Sequence, residues 1–116
     1  MRVVMVMVAA ALLAGCASSA MEAARTKAPT KHFTSSKPAD RVAQCIQFGW
    51  QDEAVFGVDA SGYLEPGKQG GFTVYTREAE SFADIQPQGV SSTVSYYAQK
   101  DDSVALRRMA ALATCL

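Results

Sequence analysis

The chain changes its hydrophobic rhythm four times along its length. Residues 3–13 are continuously apolar. Residues 17–37 are small, polar and basic, with Met21 and Phe33 their only bulky apolar side chains. From Pro38 the apolar positions are Val42, Cys45, Ile46, Gly49 and Trp50, and their 3, 1, 3, 1 spacing describes one face of a helix. Pro38 suits the first turn of that helix, Ser35 or Ser36 can cap it, and Asp40 complements its dipole. Cys45 is expected at the centre of the apolar face, pointing into the core, and Trp50 is expected to plug the core at the helix end.

Between residues 54 and 99 the period falls to two, with turn chemistry between the runs. Short strands are expected at Ala54–Val58 and Tyr63–Glu65. Phe72–Arg77 alternates, with Phe72 and Val74 on one face and Thr73, Tyr75 and Arg77 on the other. Ser81–Gln86 reads as a weaker strand, followed by a turn at Pro87-Gln88-Gly89. Val90–Ala98 is the strongest, placing Val90, Val94 and Tyr96 on one face. A second helix is expected from the caps at residues 101–103, burying Ala105, Leu106, Met109, Leu112 and Ala113 and turning Arg107 and Arg108 away. The order is helix, four- or five-stranded antiparallel meander, helix. It predicts an α+β fold, a two-layer sandwich with both helices on one sheet face.

The first sixteen residues are a separate matter. Arg2, the apolar run and the closing Leu13-Ala14-Gly15-Cys16 have the layout of an export signal, and the run is too short to span a bilayer, which takes roughly 20 residues. Residues 13–16 resemble the bacterial lipoprotein signal. The resemblance implies cleavage before Cys16, diacylation of its thiol and, in many Gram-negative bacteria, acylation of the new amino group. Ala17, where an Asp favours inner-membrane retention, implies the outer membrane facing the periplasm. An ordinary secretory signal cut after Ala17 or Ala20 is the alternative. Two or more acyl chains anchor a protein stably, at ~0.8 kcal/mol per buried CH₂. The organisation expected is a signal peptide at 1–15, a lipidated flexible linker at 16–37 and one small domain at 38–116. A linker of that length reaches roughly 25 Å.

Charge is balanced overall but unevenly placed: residues 17–37 carry four Lys/Arg against Glu22, and residues 38–116 carry six Lys/Arg against ten Asp/Glu. A basic tether suits an anionic lipid surface, although lysines also keep a linker solvated. The acidic domain argues against nucleic acid as a partner. With Cys16 committed to lipid, Cys45 and Cys115 remain as an even pair in an oxidising compartment, and a structural disulfide is expected. Two separate thiols or a redox pair are the competing readings.

The run Val42-Ala43-x-Cys45-Ile46, Trp50, the sequence Val94-Ser95-Tyr96-Tyr97 and Cys115 together resemble small proteobacterial lipoproteins over residues 38–116. That resemblance implies no activity and transfers no catalytic residue.

Catalytic chemistry needs a nucleophile with its base, a carboxylate pair or a metal cluster. The single histidine, His32, has no ligand partner in sequence. Asp52/Glu53 and Glu78/Glu80 read as solvated acids. Gly67-Lys68-Gln69-Gly70-Gly71 lacks phosphate-loop spacing. The sequence asks for no cofactor and no metal. It is read as a non-enzymatic, membrane-anchored binding or accessory module for an envelope protein, with Tyr75 and Tyr97 on the face opposite the core as contacts. An inhibitor or immunity-type lipoprotein using the 65–71 loop, with Lys68 and Gln69, is a second reading. A structural subunit of a secretion or conjugation assembly is a third. Cys16→Ser is expected to abolish the acyl mass and move the protein from the membrane to the soluble fraction, as read by intact mass and fractionation.

Overall fold

The computed structural model describes residues 17–53, 61–67 and 70–116. In chain order the elements are a helix over residues 17–25 (α1), β1 (Lys31–Ser35), α2 (Ala39–Gln51), β2 (Tyr63–Pro66), β3 (Phe72–Tyr75), β4 (Ser81–Gln88), β5 (Ser91–Ala98) and α3 (Ser103–Ala113). The five strands form one antiparallel sheet in the order β1-β5-β4-β3-β2. The fold is α+β, as the periodicity predicts. Among the described residues no helix is long and apolar enough to cross a membrane. The expected strand at Ala54–Val58 lies outside the described residues, whose next segment begins at Ser61.

α2 buries Ala39, Val42, Ala43, Ile46 and Trp50 against the sheet. Those positions recur at helical spacing, and the core they enter includes Val74, Ala83, Ile85, Val94 and Tyr96 from three strands. α3 packs on the same side. Asp102 caps it by accepting a hydrogen bond from the Ala105 N–H at 2.9 Å. The Trp50 indole N–H donates to the Arg108 carbonyl at 2.9 Å, and its ring meets Tyr96 edge-on at 6.2 Å. The Tyr96 hydroxyl donates to the Ala105 carbonyl at 2.8 Å. Burial holds that hydroxyl above the usual tyrosine range, only partly countered by its hydrogen bond with Ser81 and the nearby Arg108 charge. Cys45 and Cys115 form the expected disulfide, with Cα atoms 5.7 Å apart.

Five expectations need correction. First, the flexible linker over 16–37 does not describe residues 17–35. α1 is docked on the sheet face opposite α2 and α3, adding a partial third layer, and Lys31–Ser35 is an edge strand paired with β5. His32 therefore sits on β1, with Nδ1 at 3.2 Å from Ser95 Oγ. Second, Cys45 lies on the exposed margin of α2, and Cys115 is the buried partner. Third, neither Ser35 nor Ser36 caps α2, whose N-cap is Pro38 without a side-chain bond. The Ser35 hydroxyl instead accepts the Lys37 N–H and donates to the Leu116 carbonyl at 3.0 Å.

Fourth, α3 buries Ala105, Arg108 and Leu112, while Leu106 is 56 % exposed. Arg108 belongs to the stripe because its guanidinium reaches Ser81 Oγ at 3.1 Å and Glu80 Oε1 at 3.5 Å, the pairing that a buried charge requires. Fifth, β4 is a long, well-buried strand, running through Pro87 and Gln88 to a two-residue turn at Gly89-Val90. Val90 therefore sits at the hairpin tip, 83 % exposed, instead of on the packed face. Gly89 supplies the positive φ of 63° that the first turn position demands. Gln88 and Ser91 close that turn as a hydrogen-bonded pair, so Pro87 opposite Ser92 falls where no N–H is needed.

The bridge joins residues 70 apart in sequence. Cys45→Ala with Cys115→Ala is expected to lower the unfolding free energy by about 3–4 kcal/mol, measured by urea denaturation against the oxidised parent.

Candidate functional site

The sheet face turned away from α2 and α3 carries two rows of side chains, set by strand alternation and register. One row is aromatic: Tyr63 on β2, Tyr75 on β3, Phe82 on β4 and Tyr97 on β5 are consecutive cross-strand partners. Tyr63 and Tyr75 have ring centroids 5.3 Å apart, and Phe82 and Tyr97 stack at 4.5 Å with planes within 7°. The adjacent row is polar and crosses all five strands, from Glu65 through Thr73, Asp84 and Ser95 to His32.

α1 lies across both rows. Met21 is buried with Ala79 and Phe82, and Ala20 and Ala24 pack beside it. Arg25, one turn further on, grips the polar row. Its Nε and Nη2 donate to the two oxygens of Asp84 at 2.7 Å each, a bidentate pair. Nη2 also donates to Thr73 Oγ1 at 3.2 Å, and Thr73 Oγ1 donates to Asp84 Oδ1 at 2.8 Å. Glu22 adds an exposed contact at 3.3 Å within the helix. The guanidinium carbon stands 5.2 Å from the Phe82 ring centre, so the cation also rests on the aromatic row. The Asp84 hydrogen bonds hold Arg25 above the usual arginine range, against the opposing effect of burial. With its carboxylate spanned in this way, Asp84 acts as a latch for α1.

Because alanines form most of its contact face, α1 leaves open space on both flanks. On one side a groove of about 630 Å³ runs between α1, the 26–30 segment and β5, with Phe82 and Tyr97 in its wall. On the other a smaller hollow of about 230 Å³ lies between α1 and the β2–β3 end, lined by Glu22, Arg25, Glu65 and Asp84. Burial raises the Tyr97 hydroxyl first, the Asp84 charge second, and Arg25 partly offsets both. Tyr75 is likewise raised by burial, then by Glu65 and Tyr63. Both phenols stay neutral at physiological pH.

Of the residues singled out from sequence, Tyr75 and Tyr97 share the aromatic row with Phe82 between them. Cys45 and Cys115 are joined on the opposite side. Cys16, Lys68 and Gln69 lie outside the described residues. Among the described residues no group of three or more His, Cys, Asp or Glu is placed to hold a metal ion. Arg25, Asp84, Thr73 and Met21 were not singled out. The signal for α1 was Ala17, Ala20, Met21 and Ala24, which repeat the 3, 1, 3 spacing of a helical face in small side chains. The signal for Asp84 was its placement in alternation with Phe82.

The chain matches no protein-family model, no curated protein sequence and no solved structure.

Arg25→Gln removes the bidentate pair and leaves the Asp84 carboxylate partly buried without it. The expected loss is about 1–3 kcal/mol, concentrated in α1. Hydrogen exchange at residues 20–25 should quicken well before exchange in β4 and β5.

Proposed function

We propose that this protein is a lipid-anchored, non-enzymatic binding module of the cell envelope, held at the outer membrane through Cys16 and facing the periplasm. It receives its partner protein on the tyrosine-bearing face of the sheet. The lipoprotein-type signal supports the anchor. The observation that carries the binding reading is the aromatic row, whose two ends emerge on either side of α1. Tyr63 is 45 % exposed above Tyr75, on a rigid sheet. Tyrosines held this way offer large contact area at small entropic cost, since each has only two side-chain torsions to fix. Neighbouring Glu65 and the Arg25–Asp84 latch supply a polar rim.

A photo-cross-linking amino acid at Tyr63, in the full acylated chain in living cells, tests the reading. A discrete adduct with one envelope protein is expected, weakened about 10- to 100-fold in affinity by Tyr75→Ala, the range of an interface anchor. The same probe at Phe48, exposed on α2 on the other side of the molecule, should give no such adduct. Equal labelling from both positions, or labelling of lipid alone, would refute it.

A further inference from the structure

We infer that the groove between α1 and β5 seats one of the acyl chains attached to Cys16 of the same molecule. The inference rests on the lipid-anchor reading above and assigns that lipid a place on the protein.

Four observations carry it. The groove, half open to solvent, has a volume of about 630 Å³, within the ~300–1,000 Å³ range of ligand pockets. Its walls are largely hydrocarbon: Ala20, Ala23 and Ala24 on α1 face Phe82 and Tyr97 on the sheet. Ala20 and Ala24 pack beside Phe82 and Tyr97 with only a methyl group each, so the space between helix and sheet is a product of the small residues themselves. The described part of α1 begins at residue 17, one residue after Cys16 in sequence, and Ala20, Ala23 and Ala24 lie within its first eight residues. Finally, the rigid helix replaces the expected tether. The attachment site comes one residue before a docked helix rather than before about 25 Å of loose chain, which raises the effective concentration of its acyl chains at the groove.

The seat gives the anchor a second role. An acyl chain lying against Ala20 and Ala24 on one side and Tyr97 on the other thickens the contact between α1 and the sheet. Docking of α1 and occupancy of the groove then favour one another.

The test uses the intact lipoprotein in cells fed a fatty acid that carries a diazirine near its methyl end. After irradiation, the mass of the Cys16 peptide reports acylation, and fragment masses locate the cross-links. The expected result is acylated Cys16 with intramolecular cross-links to β4–β5 residues, Phe82 and Tyr97 foremost. Ala23 is exposed on the groove wall, so in the unacylated Cys16→Ser chain Ala23→Glu should leave the melting temperature unchanged. In the acylated chain Ala23→Glu should lower the intramolecular yield about tenfold, the ratio produced by displacing some two methylenes from an apolar surface. Acylated Cys16 with cross-links only to bilayer lipid, to a second copy or to a partner protein would overturn the inference and leave the anchor standing. An Ala23→Glu yield equal to that of the parent would also overturn it. Unacylated Cys16 would remove the anchor and the inference together.

Discussion

β1 and β2 are successive among the described strands, yet they form opposite edges of the described sheet. The polypeptide must therefore cross the full width of the sheet between them, and α2 is the element that makes the crossing. It touches β2, β3, β4 and β5 along the way. Its buried stripe has to be apolar over its whole length, which is what Ala39, Val42, Ala43, Ile46 and Trp50 provide. Everything else on that side is fitted to α2. α3 lies against it through the Trp50–Arg108 hydrogen bond and the disulfide. The last residues return to the end of β1, where Ser35 donates to the Leu116 carbonyl and Lys37 reaches the Cys115 carbonyl. The first strand and the C-terminal segment are thereby secured at the same corner of the sheet.

The two sheet faces are finished with different materials. The α2 side is sealed by large side chains, and the buried Arg108 shares Ser81 with the Tyr96 hydroxyl. Such a node is costly to leave incomplete, because each member is removed from water. It sits beside the β3–β4 connection, where Glu78 and Ala79 both take positive φ values, 59° and 53°. The Gln99 side-chain amide donates to both of their carbonyls, at 3.2 and 3.0 Å, and offsets part of that backbone strain. A close approach of similar economy occurs at Gly71, where any Cβ would overlap the Ile85 carbonyl oxygen.

The opposite face is closed by α1, a helix of mostly small residues fixed by one methionine and one arginine. Small residues bring a helix close but cannot fill the space beside it, so this face keeps a groove of about 630 Å³, larger than the hollow of about 370 Å³ between α3 and β5 on the other face. The Arg25–Asp84 pair supplies the orientation that alanines cannot. Stability is concentrated on the α2 side and adaptable surface on the α1 side. The proposed uses of the protein, a partner at the Tyr63–Tyr75 end and an acyl chain at the Phe82–Tyr97 end, both draw on the α1 side.

The sequence by itself determined the α+β class, α2 and α3 to within a few residues, the alternation of β3 and the Cys45–Cys115 pairing. Each of these follows from local periodicity or from the redox chemistry of an even cysteine pair. It also determined that Tyr75 and Tyr97 lie away from the main core, because strand alternation fixes sides. Only the tertiary structure decided the rest. β1 is a strand because β5 offers it a partner; Lys31–Ser35 contains a single large apolar residue and no alternation strong enough to announce itself. α1 is stable because Met21 and Arg25 find Phe82 and Asp84 about sixty residues away, contacts that no local window contains. Arg108 is buried, against its own solvation preference, because Ser81 and Glu80 are brought beneath it by the sheet. Local patterns record which side chains leave water, whereas the identity of the group that receives a charge, a small-residue helix or an edge strand is a long-range matter that only the folded chain settles.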